Sequence, residues 1–199
     1  MPKGFALAWN PAVAMSKEEI DAFLSGRLVA RIATVGKDNI PHINPVWYYW
    51  DGEYLYIVMK QRRLMAKNLI RNPWCSVVID TDERIIWGMW ENRARGVIIT
   101  GRAELHEPEE EITIAAGPLK GTYPTAVARR VVLKRYNLGP EDGALCIDPR
   151  KIQEIMGQSQ NDPESLLYKE SEDYAIAKIK PEKLRAWDFS KAAPKDAVV

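Results

Sequence analysis

Apolar positions change their period several times along the chain, and each change marks an element. Ser16-Lys17-Glu18-Glu19 is a capping box: the Ser16 hydroxyl can accept from the Glu19 amide while the Glu19 carboxylate reaches back. The helix predicted over Lys17–Leu24 places Ile20, Phe23 and Leu24 on one face, with Gly26 just beyond its end. Leu28 to Val35 is then short and rich in branched residues, and Gly36-Lys37-Asp38-Asn39 bounds it as a turn, so a strand is expected. A second extended run, Ile40 to Trp50, carries Pro41 and Pro45, which remove ladder donors and confine it to a sheet edge or a bulge. Asp51-Gly52 is the strongest hairpin signal, and Glu53 to Met59 returns as a third strand. These three runs predict an antiparallel meander.

Leu64–Asn72 pairs Met65 with Leu69 and Ala66 with Ile70 at helical spacing, and Asn72-Pro73 stops it. A fourth strand is expected over Trp74–Asp80 and a fifth over Val97–Leu105, where Gly101 marks a bulge or a close approach. Between them, Thr81–Arg95 with Trp87 and Trp90 breaks the pattern and reads as an insertion over the barrel. From Glu107 the character turns helical, because Pro108-Glu109-Glu110-Glu111 opposes a helix dipole at its N-terminus. A further helix is predicted over Pro124–Tyr136, a polar loop over Gly157–Ser171, and a last strand over Tyr174–Ile179, with Pro181–Phe189 closing the fold. The pattern therefore predicts a mainly β protein with helices attached: a six-stranded antiparallel barrel forming one domain over 16–190. Residues 1–15 read as a loose N-terminal arm, 84–95 and 107–171 as insertions, and 191–199 as a tail.

Composition narrows the class. With 199 residues, 46% of them hydrophobic and 28% charged, the chain is of globular type and long enough for one full core. The 28 basic and 27 acidic residues leave a net charge of +1, so no global field draws it to nucleic acid or to an anionic bilayer, and neither partner is expected. No basic leader precedes a clean apolar segment, and no apolar run spans a bilayer, so a cytoplasmic protein is expected. Cys75 and Cys146 are far apart without CxxC spacing, and neither His42 nor His106 stands at ligand spacing from them, so no metal site is expected.

The candidate chemistry is cationic and aromatic. Lys60, Arg62, Arg63 and Lys67 gather at a strand end and in the first turns of a helix, where unpaired amides and the dipole favour a phosphate; the alternative is a solvated basic face. Arg31 shares a strand face with Val29 and Ala33, and if that face turns inward it needs a ligand oxygen or a carboxylate across the sheet. Trp47-Tyr48-Tyr49-Trp50 puts aromatic rings on both faces of one strand, so core lies on one side and a partner or ligand on the other. His106 is read as exposed near a strand end, and Asp80 and Asp82 as solvated carboxylates in a turn. The basic face of Arg129, Arg130, Lys134 and Arg135 reads as a wet helix surface. No nucleophile elbow, P-loop or dinucleotide fingerprint occurs, which favours a borrowed cofactor over side-chain chemistry.

The order of these elements resembles the pyridoxamine 5′-phosphate oxidase-like, flavin-binding split-barrel superfamily. The resemblance is carried by Leu28–Val35, Pro41–Tyr48, Asp51–Tyr56, Lys67–Pro73, Gly101–Glu104 and Pro181–Phe189, and covers roughly 16–105 and 174–190. It implies a split-barrel homodimer with FMN, or the deazaflavin coenzyme F-420, in a cleft between subunits, acting on a small organic substrate. It implies that Arg31, Ile32, Ala33 and Thr34 lie along the flavin, and that Val58, Met59, Lys60, Arg62, Arg63 and Lys67 hold the phosphate end. Arg95, at the start of the fifth strand, and Trp187 match further cofactor positions. The chain departs from the family pattern at Leu64 and Met65, where Arg and Lys are usual, which shifts the grip to Arg63, Arg62, Lys60 or Lys67. A second class of function follows from that departure: a non-catalytic barrel that binds haem, another flat ring, or only itself.

Overall fold

The structure is a computed structural model and describes residues 11–81, 94–125, 128, 129 and 174–191. Helix α1 (Lys17–Leu24) starts as its spacing predicts. The Ser16 hydroxyl accepts from the Glu19 amide at 3.2 Å, and Glu19 Oε2 accepts from the Ser16 amide at 2.6 Å. Its apolar face buries Ile20, Phe23 and Leu24 in the barrel. The segment before it is not loose over its described part. Pro11–Val13 forms a 3-10 turn, Ala14 bridges to Trp187, and Val13 and Met15 are buried, so apolar burial overrides the helix-breaking prolines of the arm.

The strands are β1 (Ala30–Val35), β2 (Pro41–Val46), β3 (Tyr48–Trp50), β4 (Leu55–Lys60), β5 (Trp74–Thr81), β6 (Arg95–His106), β7 (Glu111–Ile114), β8 (Gly121–Pro124) and β9 (Tyr174–Asp188). Seven of them form one antiparallel sheet in the order β2-β1-β5-β6-β9-β4-β3. The Ile40–Trp50 run breaks at Trp47. Its first half pairs with β1 at one edge and its second half with β4 at the other, so one stretch of chain joins both edges and curls the sheet into a barrel. That break turns the six expected strands of the barrel into seven, while the class, an antiparallel split barrel with helices, is as read from the sequence. Both prolines of β2 sit on the edge strand, where their missing N–H groups leave no ladder gap.

Two further readings need correction. Residues 174–188 form one strand of 15 residues, not a short strand and a separate closing segment. It accommodates Pro181 because the β6–β9 register shifts between Thr100 and Gly101, opposite the proline. Gly101 is required there, since a Cβ on it would stand 2.0 Å from the Lys180 carbonyl oxygen. The segment from Glu107 is not helical: β7 and β8 form a two-stranded hairpin. Strict alternation of Glu111, Ile112, Thr113 and Ile114, with both Ile side chains buried, overrides the acidic run that suited a helix start. Thr125, Ala128 and Arg129 are helical. The rest of Pro124–Tyr136, the loop at 157–171 and the insertion with Trp87 and Trp90 lie outside the described residues.

Two apolar clusters result. The barrel interior holds Ile32, Tyr48, Trp50, Leu55, Ile57, Val77, Ile79 and Ile99. Helix α2 (Leu64–Arg71) closes this interior with Met65, Ala66 and Leu69. On the outside, Tyr49, Tyr56 and Ile176 are covered by Ile112 and Ile114, so Tyr49 is covered by the chain's own hairpin, while Trp47 at the start of the same run stays exposed. Asp51 ties that hairpin down. Its Oδ1 accepts from the amides of Glu53 and Tyr54, and its Oδ2 from the Tyr56 hydroxyl at 2.8 Å and the amides of Ala115 and Ala116 at 3.0 and 3.2 Å. No helix among the described residues is long and apolar enough to cross a membrane.

Candidate functional site

Alternation decides which predicted residues can reach a ligand. On β1, Ile32 and Thr34 turn into the barrel and are buried, while Arg31 and Ala33 face outward. The Thr34 hydroxyl is engaged inside, accepting from Asn68 Nδ2 at 3.1 Å. The backbone of Ala30–Ala33 has ladder partners on both sides, β2 and β5, so the outward side chains are what β1 has left to offer. Arg31 is exposed, and its guanidinium meets Asp80 at 2.6 Å. The carboxylate across the sheet is thus its partner, and Asp80 belongs to β5 rather than to a turn. His106 is likewise not exposed: its side chain is 14% accessible and lies 3.7 Å from Glu104.

On β4 the same rule buries Met59 in the core and turns Val58 and Lys60 outward. Val58 lines a cleft of about 480 Å³ together with Val29, Pro45, Val46, Trp47, Tyr174 and Arg129. Lys60 flanks that cleft, its Nζ 5.3 Å from the centre of the Tyr174 ring, its register partner on β9. Arg129 stacks on the same ring at 3.7 Å. Sequence reasoning placed Arg129 on a wet helix face and gave no role to Tyr174. Neither position carries a local signal, because only the packing of the 128–129 turn on β9 brings them together.

Beyond Lys60 the chain turns into α2, whose N-terminus is bare. Arg63 is the N-cap residue, its side chain makes no cap hydrogen bond, and the first turn holds no acid. The side-chain cap that Ser16 gives to α1 thus has no counterpart at the N-cap of α2, and Arg62, Arg63 and Lys67 are exposed around that helix start. Leu64, in the place of the usual Arg, is 52% exposed, and Met65 is buried beneath the helix.

Arg95 and Trp187 are not part of this corner. The Arg95 guanidinium lies 5.8 Å from the Phe23 ring of α1, and the Trp187 indole covers Gly96 in the space a side chain there would fill. Lys60 and Trp187 sit near opposite ends of β9 by register, Lys60 opposite Tyr174 and Gly96 opposite Trp187. Cys75 is buried in the barrel, and burial pushes its thiol up to about 12, so it is no nucleophile at neutral pH.

A curled antiparallel sheet whose edge strands β2 and β3 are joined at Trp47, with an apolar cleft on its outer face and a basic helix start without a side-chain cap beside it, has the architecture of a split barrel. The chain belongs to the pyridoxamine 5′-phosphate oxidase family, whose sequence pattern matches residues 16–156. Its fold is similar to that of a conserved hypothetical protein from Mycobacterium tuberculosis at a TM-score of 0.63 and 22% identity, over 96% of this chain and 95% of that one. An F-420 reductase matches at 0.49 and 20% identity over 82% and 94% of the two chains. An FAD-binding protein from Mesorhizobium loti matches at 0.49 and 16% over 87% and 93%.

Proposed function

We propose that the protein is a flavin-dependent oxidoreductase that takes FMN and acts on a small organic substrate. The observation that carries this reading is the contrast between the two helix starts. The first is fully capped, and the second is left without a side-chain acceptor among exposed Arg62, Arg63 and Lys67. A helix start without a side-chain cap, a positive dipole end and clustered cations together suit a phosphate. Beside it the cleft offers Val46, Trp47 and Val58 as an apolar wall for a tricyclic ring, and its volume lies within the usual range of roughly 300–1,000 Å³ for small-molecule sites. The residues present therefore fit such a cofactor. The coenzyme F-420 also carries a tricycle and a phosphate and would use the same grip.

In this reading Arg63 and Lys67 neutralise the phosphate, Lys60 extends that field toward the cleft, and Arg31, held by Asp80, fixes the polarity of the outer face of β1. The chemistry supplied by a bound flavin is hydride exchange. The cleft lining contains no carboxylate or imidazole among the described residues, so the chain's own contribution is position and charge. Trp187 and Arg95 stand away from the corner in their own protomer, and a homodimer that brings these residues of a second copy to the cleft accounts for their place in the family pattern.

The test is FMN and riboflavin titration of the purified chain, read by flavin fluorescence and absorption. FMN is expected to bind at least about tenfold tighter than riboflavin, as charge-assisted bonds to one phosphate imply. Equal affinity, or no binding of FMN or of F-420, would sink the reading and leave a barrel that pairs only with itself or with another ring.

A further inference from the structure

One wall of the cleft is continuous with the β7–β8 hairpin. Val58 lines the cleft and also packs against the cluster that Ile112 and Ile114 form with Tyr56 and Ile176. Ala128 is buried in that cluster, and Arg129 beside it lines the cleft, stacked on Tyr174 at 3.7 Å. Lys60 lies 5.3 Å from the same ring, so Tyr174 joins this wall to the strand that leads into the basic corner.

The hairpin is too small to hold its place by pairing alone. Its strands have four residues each, and an isolated two-stranded hairpin is marginal in water. Polar bonds fix its far end to the barrel. Asp51 Oδ2 accepts from the Ala115 and Ala116 amides at 3.0 and 3.2 Å, and the Thr113 carbonyl accepts from Lys178 Nζ at 2.9 Å. Gly117 follows at φ 74°, where a Cβ would stand 3.2 Å from the Asp51 carbonyl oxygen. At the near end the Thr125 amide and hydroxyl donate to the Glu110 carbonyl at 2.9 and 3.0 Å, which ties the hairpin to the helical residues Ala128 and Arg129. We infer that Asp51 is a positioning residue for the cleft. By holding the hairpin it holds Val58 and the Ala128–Arg129 pair in place, and so sets the seat of the ring without touching it. That the seated ring is a flavin rests on the reading above.

The experiment compares Asp51→Asn with the unaltered full chain, in FMN and riboflavin titrations read by flavin fluorescence and in amide exchange. The substitution loosens the ring seat and leaves the α2 start alone. Both flavins are therefore expected to weaken by the same factor, about tenfold, with their affinity ratio kept. Exchange is expected to quicken by one common factor at Ala115, Ala116, Ala128 and Arg129. Tyr56→Phe keeps the carboxylate but loses the hydroxyl bonded to Asp51 and Thr113, and is expected to show the same pattern at about threefold. It decides the matter should Asp51→Asn not fold. Gly101→Ala strains the sheet away from the hairpin and controls for lost stability as such. It is expected to leave both affinities and these four exchange rates within about twofold, because the hairpin opens with the sheet still formed. Unchanged flavin affinity in the Asp51 and Tyr56 variants, a loss confined to FMN, or an equal loss in Gly101→Ala overturns the inference. If the unaltered chain binds neither flavin, the flavin reading fails by itself. Exchange then decides the coupling: quickening at Ala115 and Ala116 that does not reach Ala128 and Arg129 overturns it.

Discussion

Two carboxylates show how differently one residue type acts in this molecule. Asp51 is 6% exposed and accepts five hydrogen bonds, from three elements of the chain. Burial and the Asp51 bond push the Tyr56 phenol well above its ordinary range, so Tyr56 remains the donor of that pair. Asp51→Asn swaps an acceptor for a donor facing amides, and is expected to destabilise the fold by about 2–4 kcal/mol in urea unfolding, with faster amide exchange at Ala115 and Ala116. Glu19 is the opposite case. Lys191 Nζ at 2.5 Å, followed by the Ser16 amide, holds its exposed carboxyl below the usual range. A depressed carboxylate adds stability above its unfolded value and loses it as pH falls through the folded one. Glu19→Gln should therefore cost under about 1 kcal/mol at neutral pH, and the gap to wild type should close in acid, read from melts between neutral and acidic buffer. The sequence placed Arg31 on one strand face but could not say which carboxylate would meet it. Choosing Asp80 took the β1–β5 register, a contact 49 residues away in the chain.

At the level of elements, the two helices make the sharpest prediction. Arg63→Asp would supply the side-chain cap that α2 lacks and remove a cation from its start. Thermal stability should rise, by about 0.5–2 kcal/mol, while FMN affinity falls at least about tenfold. A fall in both would mean that Arg63 packs rather than binds. Gly101→Ala sets a methyl against the Lys180 carbonyl and is expected to destabilise by about 1–3 kcal/mol, seen as a lower melting temperature. The elements legible in advance were those with a long or strongly punctuated pattern: α1 with its capping box, the Asp51-Gly52 hairpin with Gly52 at φ 105°, and the proline-bearing edge. The β7–β8 hairpin was missed because only four alternating residues compete with an acidic run beside Pro108. Of the site, the basic start of α2 was legible because its residues are contiguous. Arg129 on Tyr174 was not, because 45 positions separate them.

For the molecule as a whole, the outer face around the cleft is apolar where solvent would favour polar groups. Ile43 is 64% exposed, Trp47 46% and Val29 44%, and Pro45 adjoins them. The homodimer proposed above would cover this face. Ile43→Lys is expected to shift the chain toward monomer in light scattering and to weaken FMN binding in parallel; monomer in the unaltered chain would remove the dimer from the reading. The sheet order carries a consequence for how the chain is made. The last of the described strands, residues 174–188, lies between β6 and β4, where it joins a four-stranded half to a two-stranded one. Until it emerges from the ribosome, two open edges wait unpaired, one of them the 12-residue β6. Biosynthesis is therefore all-or-none: a product stopped before residue 174 should accumulate as aggregate or be degraded, and chaperone dependence should end only once that late keystone has slid home.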